Sequence, residues 1–322
     1  MANSKHHLLK LFAIGGFFMF LTFSFLGTQI SPTLAATTTT KMSQMTIFQA
    51  FILGIVQGLA EFLPISSTAH LKVVPVLLGW GDPGLAVTAV LPLGCIVAVL
   101  WYFWQDLRQI TLGFFQAIRM GNYSSNDFRT GLGILLGTLP AIFFGLLVKV
   151  LIPDYDRSPL RSLLAIAIAS VVMSLLLGLA ELVGRRKRNF QQLGITDSIL
   201  MGLAQSLAII PGVSRSGATI TAGLFMGLQR ETAARFSFLL GIPAVTLAGL
   251  VELKDAVGVE VGTIAVLPLI VGLISTTIFS YLAIAWLLRY LQTQSTWIFV
   301  CYRLVFGMAI IGAIATGILK NS

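Results

Sequence analysis

The sequence predicts an all-α polytopic membrane protein: about six full transmembrane helices plus two inverted re-entrant helix-hinge-helix elements related by an internal repeat. Three observations predict it. Of 322 residues, 56% are hydrophobic and only 10% are charged, with a mean hydropathy of +0.91, whereas soluble domains carry roughly 25% charged residues. Several apolar windows reach the length of about 20 residues that a helix needs to cross a hydrocarbon core of about 30 Å. Finally, Gly58-Leu59-Ala60-Glu61 recurs as Gly202-Leu203-Ala204-Gln205, 205 − 61 = 144 residues later, and each copy runs into a proline break and a hydroxyl cluster.

Taken in order, residues 1–46 form an extension of different character. Lys5 and Lys10 precede an apolar run, 11–26, followed by small residues and threonines, the layout of a secretory signal or, if retained, of an extra transmembrane anchor. Residues 47–320 form one integral membrane domain. The stretch 47–63 is apolar but interrupted by Gln57 and Glu61 and ended by Pro64, and a second short apolar run, 70–78, follows. Two short segments hinged at a proline make one re-entrant element, because irregular backbone at membrane depth needs protein or a water-filled cavity around it. Full spans follow at 85–104, 130–151 and 160–183. Residues 194–228 repeat the hinge pattern, breaking at Pro211-Gly212, and spans at 234–253, 262–288 and 297–319 complete the chain. The two repeats are about 47–184 and 194–319.

Loop charges orient these elements. Arg108, Arg119 and Arg129 lie in one loop, and Arg185-Arg186-Lys187-Arg188 follow the third span; by the positive-inside bias, 105–129 and 185–188 are cytoplasmic. Asp154, Asp156, Asp255 and Glu260 then mark outer loops and Arg289 an inner end. The first hairpin opens from outside and the second from the cytoplasm, so the hinges meet near the midplane, where folds of this kind place their site. The net charge of +9 fits the same bias, and no basic stripe interleaved with aromatics suggests nucleic acid. Cys95 and Cys301 lie in apolar runs with no metal-ligand spacing and read as buried packing residues. The chain has no P-loop and no His/Glu metal motif, so neither nucleotide nor organic cofactor is expected.

The hinges hold the reactive side chains. Gln57 and Glu61 are four apart and share a helical face, as do Ser66 or Ser67 and His70 on the next helix. Glu61 and His70 suit general acid–base work and an adjacent serine suits nucleophilic attack, although a serine at a helix start is also an ordinary N-cap. In the second hinge, Pro211 to Thr219 reads Pro-Gly-Val-Ser-Arg-Ser-Gly-Ala-Thr. Gly212 permits close backbone approach, the hydroxyls donate hydrogen bonds, and Arg215 supplies a planar fork that matches phosphate. Together the hinges suit phosphoryl transfer from a lipid phosphate. Glu61 could hold a divalent cation, Mg2+ or Ca2+, together with substrate phosphates. The architecture also suits a membrane transporter or flippase of a lipid phosphate.

Along these motifs the chain closely resembles the undecaprenyl-diphosphatases of the bacitracin-resistance family. Gln57-Gly-Leu-Ala-Glu61 matches its Glu/Gln-x-x-x-Glu element, Ser66 to His70 its Ser-Ser-x-x-His, and Pro211 to Thr219 its Pro-Gly-x-Ser-Arg-Ser-x-x-Thr. Arg235 to Pro243 and Tyr302-Arg303 are similar too. The resemblance implies a hydrolase of the bacterial cytoplasmic (inner) membrane, with its site opening toward the periplasm. It would convert undecaprenyl diphosphate to the monophosphate carrier of peptidoglycan synthesis and confer bacitracin resistance, and a homodimer is compatible with it. Carried over, Glu61 and His70 are acid–base candidates, Arg215 the diphosphate clamp and Ser67 the preferred nucleophile, with His70 or an activated water as rivals. Ser66, Thr68, Ser214, Ser216 and Thr219 would support the phosphates, and Gln57 would assist Glu61 or the cation. The chain departs from the family at Gln57, the neutral option, at Ala69, where glycine is frequent, and at Leu91-Pro92-Leu93-Gly94-Cys95, where a Gln-Leu-Gly-Ser type of segment is expected.

Overall fold

The structure, a computed structural model, describes residues 45–80, 85–152, 155, 158–259 and 266–321; most of the signal-like extension and several outer-loop acids therefore lie outside the described residues. Eleven α-helices make up the described fold: α1 Ile47–Phe62, α2 Ser67–Leu77, α3 Leu85–Tyr102, α4 Trp104–Met120, α5 Asn126–Leu151, α6 Leu163–Val183, α7 Ile195–Ser206, α8 Arg215–Phe225, α9 Arg230–Val259, α10 Val266–Thr293 and α11 Trp297–Ala315. Among the described residues there is no strand, only an isolated bridge between Arg188 and Leu228. Five helices are long and apolar enough to cross a membrane, and a sixth span arises if α3 and α4 are taken together across their 68° bend. Side chains such as Phe143, Leu146 and Val150, each more than 60% exposed, line the outside. In water they would be a liability, but against lipid they are the expected surface.

The hinged elements are α1–α2 and α7–α8. Thr46 opens α1 with a reciprocal cap: its hydroxyl accepts from the Gln49 amide at 3.2 Å and its own amide donates to Gln49 Oε1 at 2.9 Å. Pro64 then closes the helix, since the residue before a proline is driven out of the α region, and Leu63 is extended (ψ 142°). The repeat is explicit in the backbone. Ser66 (φ 75°) precedes α2 as Ser214 (φ 70°) precedes α8, both helices have 11 residues, and Gly79 and Gly227 follow them, also at positive φ. The offset grows from 144 residues at Glu61/Gln205 to 214 − 66 = 148 at the serines. The four extra residues of the second hinge include the 3₁₀ turn Leu207–Ile209.

Each hairpin lies mainly against the other repeat. Helix α1 packs along α10, and α7 along α5. The repeated glycine explains this: a Cβ on Gly58 would lie 2.7 Å from the Thr276 carbonyl of α10, and one on Gly202 would overlap the Gly137 backbone of α5. Only glycine permits crossings this close. Helices α3 and α9, and α6 and α11, pair across the repeats to close the bundle.

The structure corrects two expectations. Residues 105–120, read as part of a cytoplasmic loop, belong to α4, which turns away from α3 at Phe103; the stretch is amphipathic, and its arginines obscured its helical character. Cys301 is exposed on the outside of α11 while Cys95 is buried, because α11 turns its inward stripe at Phe299, Arg303, Phe306 and Ile310. The basic run is not merely a solvated topology signal either. Arg188 grips Asp197 at 2.8 and 2.5 Å, which holds its guanidinium above the usual arginine range, and Arg186 pairs with Glu181 at 2.9 Å.

Candidate active site

The two hinges meet, and the carboxylate of Glu61 is where they do. Its Oε2 accepts from Ser67 Oγ at 2.8 Å and from Gln57 Nε2 at 3.2 Å, and its Oε1 faces Arg215 Nη2 at 3.6 Å. Four of the residues singled out in the sequence thus converge, from the end of α1 and the first residues of α2 and α8. The Arg215 and Glu61 side chains are 12% and 15% exposed, so the pair is partly desolvated but not sealed. The cavity beside them, about 10 Å³, is lined further by Cys95, Val99, Phe238 and Gly241, room for about one water. At 3.6 Å, Glu61 and Arg215 form a loose ion pair rather than a tight bidentate one.

The hydroxyls of Ser214, Ser216 and Thr219 are turned toward backbone. A break at membrane depth strips carbonyls of their helical partners, and each needs a replacement donor. Ser216 Oγ donates to the Leu63 carbonyl at 3.1 Å. Ser214 Oγ accepts from the Gly217 amide at 3.1 Å as the N-cap of α8. Thr219 Oγ1 donates to the Arg215 carbonyl at 2.8 Å and lies 2.5 Å from Ser237 Oγ. His70, 2% exposed, places Nδ1 2.8 Å from the Ser66 carbonyl and Nε2 2.6 Å from the Tyr302 hydroxyl. Ser66 is buried and makes no side-chain cap, and Thr68 is exposed. Gly212 presents its carbonyl to Arg303 at 2.8 Å, with its own Cα packed so tightly on Ile166 that a Cβ would overlap that backbone.

Sequence reasoning gave no role to Arg303, which is fully buried and donates to both hinges. Its signal was available: an arginine at an inward position of an apolar helix needs a reason. It also passed over Glu181, a buried carboxylate that ties α6 to Arg186, Arg230 and Thr296.

Among the described residues no cluster of three or more His, Cys, Asp or Glu could hold a metal. The oxygen donors at Glu61 nevertheless fit a hard cation such as Mg2+ or Ca2+. Gln57 is 2% exposed and its Oε1 has no hydrogen-bond partner among the described residues, so a ligand oxygen stands free beside the carboxylate.

Fold and site define a multi-pass membrane protein that sets a carboxylate, a hydroxyl and a guanidinium between paired re-entrant hinges, a constellation able to attack and clamp an anionic group. The particular lineage is clear from comparison. The family model described as Bacitracin resistance protein BacA matches residues 50–309, and the chain belongs to that family. Similar relatives include a Trichormus variabilis protein named undecaprenyl-diphosphatase, 67% identical over 281 residues covering 87% of this chain and 88% of that protein. A Nostoc protein of the same name is 66% identical over equal shares, and a Synechocystis one is 61% identical over 84% of this chain and 83% of its own.

Proposed function

We propose that this chain hydrolyses undecaprenyl diphosphate to undecaprenyl phosphate and inorganic phosphate, regenerating the lipid carrier for peptidoglycan synthesis and so conferring bacitracin resistance. The observation that carries the reading is the hydrogen bond from Ser67 to Glu61 at 2.8 Å with Arg215 on the other carboxylate oxygen. Nucleophile, base and anion clamp are already in mutual reach.

In this mechanism the diphosphate displaces Glu61 from Arg215, whose fork takes non-bridging oxygens of the terminal phosphoryl group. Ser67 Oγ attacks that phosphorus while its proton passes to Glu61. The bond to the bridging oxygen breaks, and undecaprenyl phosphate leaves with that oxygen and with the proton from Glu61, which is again a carboxylate. Water, deprotonated by Glu61, then cleaves the serine phosphate to release inorganic phosphate and restore the Ser67 hydroxyl. Arg215 stabilises charge throughout, the dominant task in phosphoryl transfer. Glu61 and Gln57 would hold a divalent cation, which supplies further charge neutralisation on the phosphates. Ser67 is preferred over His70 as nucleophile because both ring nitrogens of His70 already face partners.

The loop arginines and the resemblance favour the bacterial inner membrane, with the site opening toward the periplasm. A flippase of the same lipid is the second reading, favoured by the exchange of hairpins between the two repeats. Phosphate release from undecaprenyl diphosphate by detergent-purified wild type and Arg215→Ala, with added cation or chelator, separates them. Hydrolysis requires release that vanishes in the variant; a folded wild type that releases nothing under any cation condition would leave the flippase.

A further inference from the structure

The hinge carbonyls point to an unassigned pair of residues on α11. Arg303 sits on the inward stripe of that helix and is fully buried. Its Nη1 donates to the Pro64 carbonyl at 3.2 Å, and its Nη2 to the Gly212 and Val213 carbonyls at 2.8 and 3.0 Å. One guanidinium therefore serves carbonyls from both breaks, and its reach fixes the separation of the hinges.

Its neighbour Tyr302 acts on the first hinge through His70. A carbonyl can only accept, so the 2.8 Å contact with Ser66 places the imidazole proton on Nδ1. In the neutral ring Nε2 then accepts the Tyr302 hydroxyl proton across 2.6 Å. The ring lies nearly parallel to both neighbours, face to face with Phe306 at 4.4 Å and with the Tyr302 ring to its side at 5.6 Å. Its Nδ1 bond holds the carbonyl of Ser66, a non-glycine residue at φ 75°, a conformation that persists only when its surroundings over-determine it. The next residue is Ser67.

We propose that Tyr302 and Arg303 are positioning residues of the hydrolase. Arg303 sets the spacing between Glu61 and Arg215 by bridging the hinges, and Tyr302, acting through His70, keeps Ser66 in its left-handed conformation so that Ser67 stays on Glu61. His70 belongs to this positioning set. The inference rests on the hydrolase reading, and a wild type that releases no phosphate refutes that reading rather than this one.

The test compares His70→Asn, His70→Ala, Tyr302→Phe and Arg303→Lys in detergent, with apparent melting temperature and steady-state kinetics for each. Asparagine can place an amide N–H where Nδ1 stands but can neither abstract nor relay a proton. His70→Asn is therefore expected to retain at least about tenfold more kcat than His70→Ala. Tyr302→Phe, which keeps the ring stack, is expected to lower kcat about tenfold with KM within twofold, and to cost less than twofold when added to His70→Ala. Arg303→Lys, able to reach one hinge only, is expected to lower kcat more than Tyr302→Phe. The proposal is overturned if His70→Asn, melting like wild type, is as inactive as His70→Ala, or if Tyr302→Phe is fully active or additive with His70→Ala.

Discussion

Replacing Glu61 by glutamine keeps the shape of the side chain and removes its charge, and the structure gives the consequence in two separable parts. The carboxylate accepts the Ser67 proton across 2.8 Å. General-base assistance is worth about 10²–10⁴ in rate, or about 2.7–5.4 kcal/mol at about 1.36 kcal/mol per decade. The second part concerns binding. Glu61 and Arg215 are 3.6 Å apart, an attraction of about 4–5 kcal/mol at an effective dielectric of about 20, and the entering diphosphate must overcome it. Glutamine frees Arg215, so KM should fall severalfold while kcat falls about 10²–10⁴-fold. The assay is steady-state phosphate release from undecaprenyl diphosphate in detergent, with the apparent melting temperature confirming a folded variant. Ser67→Ala added to Glu61→Gln should cost little more, since residues that act as a unit are non-additive. A Glu61→Gln protein with kcat within tenfold of wild type, or with a raised KM, would refute the reasoning.

Gly202→Ala should destabilise the fold by about 1–3 kcal/mol, because its Cβ would overlap Gly137 backbone, whereas Gly145→Ala, with open space around it, should be neutral or slightly stabilising; thermal unfolding in detergent compares the two. Glu181→Ala leaves Arg230 and Thr296 without their carboxylate and should cost about 3–5 kcal/mol with little change in kcat of the folded fraction. Cys95 Sγ faces Gln57 Nε2 at 3.7 Å and Ser280 Oγ at 3.3 Å. Cys95→Ser should therefore keep activity, while Cys95→Val, which removes the acceptor of Ser280 and leaves Gln57 Nε2 only its bond to Glu61, should cost about 1–3 kcal/mol of stability and lower activity by loosening Gln57. Gln205 is 3% exposed with neither amide atom partnered among the described residues, so Gln205→Leu should melt at or above the wild-type temperature.

What could be read from the sequence follows from how local each signal is. The hinges were legible because Pro64 and Pro211-Gly212 stand in otherwise apolar sequence with hydroxyls clustered beside them, and the repeat because Gly58 and Gly202 answer the same need for close helix crossing. The convergence of Gln57, Glu61, Ser67 and Arg215 followed from inversion of the repeats. The direction of each hydroxyl was not legible. Ser216 looks like a phosphate ligand in sequence, and only the fold shows the Leu63 carbonyl, 153 residues away, that it serves. Glu181 announces itself as a charge in an apolar span, yet Arg230 and Thr296 lie 49 and 115 residues away, so its pairing depends on the fold bringing the starts of α9 and α11 to the end of α6. The α4 helix escaped because its bend at Phe103 has no proline or glycine to mark it.

The repeat supplies two equivalent backbones and the side chains make them unequal. The equivalent of Glu61 is Gln205, and the residue that follows the left-handed serine is Ser67 in one hinge and Arg215 in the other. An acid at position 205 as well would add a second buried negative charge to the paired hinges, unfavourable to binding an anion already carrying several charges. A second serine in place of Arg215 would leave no cation to receive it. Dividing the functions gives one acid with a hydroxyl on one of its oxygens and a guanidinium facing the other. The asymmetry also leaves a mark in the second copy: Gln205 has lost the work done by its counterpart and remains buried without hydrogen-bond partners among the described residues. Symmetry positions the breaks and delivers both helix starts to one place; departure from symmetry at two positions makes those two starts chemically different.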